Sequence, residues 1–304
     1  RTRPPPSSTL FPHPPLSRSL QQTEPEAYPQ AFDLGQAPLM RLLYSVAAGE
    51  QAVEATLQFH HIVMDHTAME VVAQELIGFL QGDGEPARPS VPYRNYVAQA
   101  RLGISQAEHE AFFRAQLGAV DEPTLPFGLG DVHGDGRALE DAQAWLDPAL
   151  AGRLRAQARQ AGISVASLFH LGWARLLSAA SGQGSVVFGT VLLGRLQGGE
   201  GAERALGMFI NTLPLRVDLA DLGVAAAARA AHQGLSELLA HEHASLALAQ
   251  RCSGVAAPLP PFSAMLHHRP RPQARASQRQ ASTALPILLS QQPSHHPPCL
   301  HVAA

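Results

Sequence analysis

The 304-residue sequence contains no lysine. Every fixed side-chain positive charge is therefore an arginine, and 22 basic against 25 acidic side chains leave a formal net charge of -3. A balance so close to zero supplies no broad field for nucleic acid or for an anionic membrane, so neither partner is expected. Cysteine is nearly absent as well: Cys252 and Cys299 are far apart, giving neither a disulfide framework nor a Cys-based zinc site. That usage fits a reducing cytoplasm. No apolar run approaches the roughly 18 residues of a membrane span. The first residues also lack the charged, apolar and small-residue order of a signal peptide, so an unexported cytoplasmic protein is expected. What is abundant is Ala, Gly, Pro and Leu, and an apolar share of 45% is ample for a real core.

The two ends differ in texture from the middle. Residues 1–30 are rich in Pro and Ser, with hydrophobes at neither helical nor strand spacing, and read as linker or disorder. Residues 267–304 exchange Ala/Leu texture for Pro, Arg, Gln, Ser and His, and read as a disordered natural tail or as coding sequence in another frame.

Between these ends strand and helix signals alternate. EATLQFHH sets Ala55, Leu57, Phe59 and His61 on one face if the strand runs to its end, with His60 on the other. The following TAMEVVAQELIGFL has capping-box spacing at Thr67 and Glu70 and an apolar stripe of Val71, Leu76, Phe79 and Leu80. Ser105 and Glu108 repeat the cap; Asp147 opens a further helix that stops near Gly162, and SVASLFHLGWARLLSAAS follows as a second. SVVFGTVLLGR reads as a buried strand ending at Gly194 and Arg195, GMFINTLPLRVDL as another extended segment, and VAAAARAAHQGLSELLAHEHASLALAQR as one last helical run. Such mixing indicates α/β or α+β architecture.

The chemistry-bearing stretch is FHHIVMDH, Phe59 to His66. His61, following an apolar face into a partly dry site, is suited to stay neutral with a free lone pair, the state a general base requires. Asp65, a short carboxylate in a turn, can orient an imidazole, accept backbone N–H groups or pair with a distant arginine. The bland alternative makes His61 a satisfied core histidine and Asp65 a turn residue. A zinc or iron site built on His60, His61, Asp65 and His66 is a further reading, against which the divergence of His60 and His61 on a strand counts. His60 and Asp65 also satisfy the HxxxxD pattern of glycerolipid acyltransferases, without the further motifs of that group. Trp173 and Phe169, at i and i+4, are expected in the core, His170 as a packed or surface residue, and His241 and His243 at a solvated helix end. His295 and His296 carry no assignment.

HHIVMDH does not stand alone. FDLGQAPLMRLL precedes it; PYRNYVAQAR, SVVFGTVLLGR, GMFINTLPLRV and, more loosely, HEHASLALAQR follow it in order. Together these resemble the condensation domains of nonribosomal peptide synthetases, over roughly Ala31 to Leu266. The resemblance implies two chloramphenicol-acetyltransferase-like lobes, here incomplete: a partial N-terminal lobe over 31–130 and a partial C-terminal lobe over 131–266. It also implies an acyltransferase that joins carrier-bound thioesters through an amide, with an ester left open. The substrates arrive on the phosphopantetheine arms of carrier protein domains, beside an adenylation domain, and no cofactor is bound directly. By matching position the resemblance makes His61 catalytic, pairs Asp65 with Arg195, places Asn211 at the interface between lobes and gives His60 a supporting hydrogen bond to backbone. Two positions depart from the family: Asn95 stands where Asp is usual, and His66 where Gly is usual, so that His66 reshapes the channel or takes part. The shortness of both lobes leads us to expect a fragment or a mis-framed product, with reduced or no activity by itself. The rival class is a catalytically silent scaffold that docks carrier proteins.

Overall fold

A computed structural model describes residues 20–22, 32–46, 53–80, 82, 90–130, 142–195, 201–220, 222–269 and 299–303. The N-terminal part holds a three-stranded sheet of β1 (Leu20–Gln22), β2 (Met40–Val46) and β3 (Val53–Phe59), in that spatial order. β2 and β3 are antiparallel, with Met40 opposite Phe59 and Val46 opposite Val53, while β1 joins β2 in parallel. Helices α1 (His66–Leu80), α2 (Tyr93–Leu102) and α3 (Gln106–Leu117) follow.

The C-terminal part runs α4 (Pro148–Ala161), α5 (Val165–Ser181), β4 (Ser185–Leu192), β5 (Asn211–Asp218), α6 (Val224–Ala240), α7 (Leu246–Arg251), β6 (Met265–Arg269) and β7 (Cys299–Ala303). Its sheet has the order β5-β4-β6-β7, with β4 antiparallel to β5 and parallel to β6. β4 is central. It is apolar along its length because neighbours cover it on both sides, which is why SVVFGTVL shows no polar alternation. Helix α5 packs on β4 and β6, α6 on α5 and β5, and α7 on β5 and α3.

Local chemistry fixes the helix ends. Ser105 and Glu108 form a complete capping box on α3, Asp147 accepts the Leu150 N–H ahead of Pro148, and Gly162 closes α4 at a φ of +67°. Among the described residues no single helix is long and apolar enough to cross a membrane.

Several expectations need correction. Strand β3 stops at Phe59, and His61 starts a short 3-10 turn (His61–Val63), so strand alternation does not place its side chain. Thr67 does not cap α1; Asp65 does, because its carboxylate takes the Ala68 N–H at 2.8 Å. The stripe Leu76, Phe79 and Leu80 is exposed (48%, 77% and 55%) rather than buried. The last helical run is broken into α6 and α7 at His241–Ser245. Phe113 and Leu117 of α3 lie in the same core as β4, β5, α5 and α6. Finally, within 267–304, His267–Arg269 complete β6 and Cys299–Ala303 form β7, because the open edge of β4 offers polar MLHHR a backbone ladder. The rest of that segment, with His295 and His296, and most of residues 1–30 lie outside the described residues.

Candidate active site at the junction of the two parts

The turn joining β3 to α1 carries the histidine cluster, and it is held by its own side chains. His60, extended at φ -80° and ψ 137°, accepts the Ile62 N–H on Nδ1 at 3.1 Å. Asp65 is 1% exposed and fully engaged. Its Oδ1 accepts from Arg195 Nη2 at 2.7 Å and from the Ala68 N–H at 2.8 Å, and its Oδ2 accepts from the Phe209 N–H at 3.1 Å. A carboxylate taken out of water needs such a set of donors, since burial without them costs several kcal/mol. The two terminal nitrogens of Arg195 are engaged in turn, while its Nε is buried without a hydrogen-bond partner among the described residues. Its Nη1 donates to the carbonyls of Ala202 and Ala205, both at 2.8 Å, and its guanidinium lies 3.9 Å over the Phe209 ring.

The segment after β4 reaches Asp65 because glycines let it. Gly194 has a φ of +66°, and a Cβ there would stand 2.0 Å from the Phe209 carbonyl oxygen. Gly207, at +153°, lies against the Tyr93 ring, where a Cβ would meet Cδ2 at 2.2 Å, and its carbonyl accepts the Asp65 N–H at 3.1 Å. Tyr93 stacks on Tyr96, and both rings pack against Phe209, edge-on and tilted respectively, with the Tyr96 hydroxyl donating to the Phe209 carbonyl at 3.3 Å. Burial, reinforced by the Tyr93 hydroxyl and Glu242, pushes the Tyr96 phenol up to about 12, so it stays a neutral donor.

Asn211 is the first residue of β5. Its Nδ2 donates to the carbonyls of Glu242 (2.8 Å) and Ala244 (2.7 Å), fastening the turn between α6 and α7 to the start of β5. That turn is not a solvated helix end. His243 is buried with its ring edge-on to Tyr96 at 5.2 Å, and His241 stacks on Phe112 at 4.0 Å. Trp173 and His170 are buried on α5.

His61 is the member of the cluster not committed to holding the turn. Its Nδ1 is buried with no hydrogen-bond partner among the described residues. His66, the first residue of α1, keeps an ordinary helical backbone and places Nε2 3.2 Å from Glu70 Oε1. Burial lowers its pKa first and Arg269 lowers it further, with Glu70 partly opposing, so the ring is neutral at pH 7. Both Asp65 oxygens and His60 Nδ1 are already bonded, and among the described residues no three His, Cys, Asp or Glu side chains gather as a metal would require. Tyr96 and Gly207 lie within the motifs PYRNYVAQAR and GMFINTLPLRV, whereas no signal in the sequence marks Glu70 as part of this site.

Comparison with known proteins decides the lineage. Residues 16–255 match the family model described as condensation domain. The chain belongs to the condensation-domain family. It is 47% identical over 238 residues to malpinin synthetase of Mortierella alpina, matching 78% of this chain and 3% of that protein. It is 30% identical over 217 residues to nonribosomal peptide synthetase 4 of Gibberella zeae, again 3% of the relative's length. In fold it is similar to the first condensation domain of the calcium-dependent antibiotic synthetase, with a TM-score of 0.57 and 23% identity over 77% of this chain and 53% of that one. The condensation domain thus spans a small part of its synthetase relatives and about half of the solved domain.

Proposed function

We propose that this condensation domain forms an amide between two carrier-bound substrates within a larger synthetase. The acceptor's amine attacks the donor's thioester carbonyl; the C–N bond forms, the C–S bond breaks, the amine gives up its proton and the phosphopantetheine thiol leaves. The observation that carries this reading is the contrast inside HHIVMDH: the side-chain acceptors of His60 and Asp65 are engaged, whereas His61 Nδ1 is shielded from water and has no hydrogen-bond partner among the described residues. An imidazole not committed to holding the turn can receive the amine's proton or position the amine and the tetrahedral centre. Asp65 and Arg195 act by holding the turn, His60 by fixing its first residue, and Asn211 by fixing the α6–α7 turn beside Tyr96. The carrier's arm supplies the reactive thioester, so the reading requires no resident cofactor, and it places the domain in the cytoplasm beside carrier and adenylation domains. The test is single-turnover amide formation by the 304-residue chain from a donor thioester and an aminoacyl acceptor, each loaded on a carrier protein. Product above the uncatalysed rate supports the reading. Carrier binding without product would favour the docking-scaffold alternative.

A further inference from the structure

Helix α1 starts at the candidate site and is tied to the C-terminal part by arginines from three different segments. Asp65 meets Arg195 beyond β4, Glu70 Oε1 meets Arg269 Nη2 of β6 at 2.9 Å, and Glu75 Oε1 meets Arg204 Nη2 at 3.0 Å. Successive carboxylates are five residues apart, which on an α-helix is about 7.5 Å of rise and about 140° of rotation. The three pairs therefore restrain α1 on different sides. The apolar residues Leu76, Phe79 and Leu80 are exposed, so they add little to this attachment.

The middle pair differs from the others. The same oxygen of Glu70 that accepts from Arg269 also lies 3.2 Å from His66 Nε2, one helical turn earlier. A glutamate side chain has three rotatable bonds before its carboxyl, and holding it in one rotamer costs entropy. A neighbour that donates to the same oxygen removes part of that cost before the arginine binds. His66 is placed to do so because the first residue of a helix lies over the residue four further on. A glycine at position 66 has no such donor. Arg269 belongs to β6, which is hydrogen-bonded to the central strand β4, so tension on its guanidinium is borne by the sheet and not by a loop.

We propose that His66, Glu70 and Arg269 form a clasp in which His66 orients Glu70 to hold Arg269, fixing the spacing between the turn that bears His61 and the C-terminal sheet. In the acyl transfer argued above the three are positioning residues: they act on the geometry of His61 and touch no reacting atom. The proposal rests on that reading for its effect on catalysis, but the clasp itself does not.

Two measurements separate these dependencies. Amide hydrogen exchange over residues 61–70 reads the clasp without any need for activity. Glu70→Gln and His66→Ala should each speed exchange there about tenfold, an opening of the order expected for one surface-linked contact in a locally unfolding segment. His66→Gln, which can still donate to Glu70, should stay close to the parent, and the charge swap Glu70→Arg with Arg269→Glu should restore protection. Far-ultraviolet circular dichroism of each variant checks that the fold persists; a variant that fails it is replaced by Arg269→Gln, which removes the same pair from the sheet side. Turnover is the second measurement: Glu70→Gln should lower kcat about tenfold with KM within about twofold, since misplacement costs rate more than binding. The swap should recover most of kcat. Unchanged exchange in Glu70→Gln and Arg269→Gln, or a swap that restores neither exchange nor kcat, would overturn the clasp. No amide from the parent protein would overturn the acyl-transfer reading, and the exchange data would still decide the clasp.

Discussion

The Nδ1 atoms of His109 on α3 and His241 after α6 face each other at 2.8 Å. One must donate and the other accept, so the pair can take up one proton on an outward nitrogen without losing the bond. A second proton would set N–H against N–H. Burial holds both pKa values below the ordinary histidine value, His241 lowers that of His109 further, and Glu108 opposes in each case. With folded-state values below the unfolded 6.5, the contribution is complete above about pH 6.5 and is lost as the pH falls through the depressed folded values. Urea midpoints from pH 8 to pH 5 should therefore decline on the acid side. The decline should be shallower in His241→Phe, which keeps the stack on Phe112 and cannot titrate. Parallel curves for the two proteins would contradict the arrangement.

For Asp65 and Arg195 the asymmetry of buried ion pairs gives the prediction. Arg195→Met leaves a carboxylate that is 1% exposed with its two backbone donors alone, and should cost about 3–5 kcal/mol. Asp65→Asn/Arg195→Met, with neither charge, should be more stable than Arg195→Met by itself, so the two effects will not add. Chemical denaturation of the three variants measures this. Additivity within about 0.5 kcal/mol would show that the pair does not hold the turn.

A second acid limb should come from His170. Its Nδ1 lies 2.7 Å from the Ala166 carbonyl, and burial brings its pKa down to about 4, with the nearby His268 contributing less. The folded state binds this proton less tightly than the unfolded chain, so stability falls between pH 6.5 and pH 4 and levels off below. The full loss is about 3 kcal/mol by linkage. His170→Phe should remove that limb, most visibly at the lower end of the range. A variant curve as steep as the parent's below pH 5 would exclude His170 as its source.

The sequence made some of this architecture legible and hid the rest for identifiable reasons. Ser105 with Glu108, and Asp147 with Pro148, act on backbone three residues away, and such local caps can be read directly. Thr67 with Glu70 has the same spacing and is no cap, because Asp65 just ahead of it is buried against a donor from another segment and takes the helix N-terminus first. The break between α6 and α7 has no local cause in Ala- and Leu-rich sequence; Asn211, some thirty residues upstream, makes it by binding the turn's carbonyls. MLHHR looks unlike a strand by composition, and pairing with β4 and β7 makes it one. Asp65 and Arg195 are 130 residues apart, so only the order of motifs suggested them as partners.

The two adjacent histidines offer the sharpest functional contrast. His61→Ala removes a ring whose Nδ1 has no partner among the described residues, so it should leave no newly orphaned donor, and its unfolding free energy should stay within about 0.5 kcal/mol of the parent. Amide formation from carrier-bound thioesters should nonetheless fall about 10²–10⁴-fold, the range lost with a general base. His60→Ala removes the acceptor of the Ile62 N–H and should do the reverse, costing about 1 kcal/mol of stability with a rate change below tenfold. Both residues sit in one turn, so a general loosening of that turn would hurt the two variants alike. Only a specific chemical role for His61 separates stability from rate in opposite directions, and parent-like turnover by His61→Ala would end its candidacy.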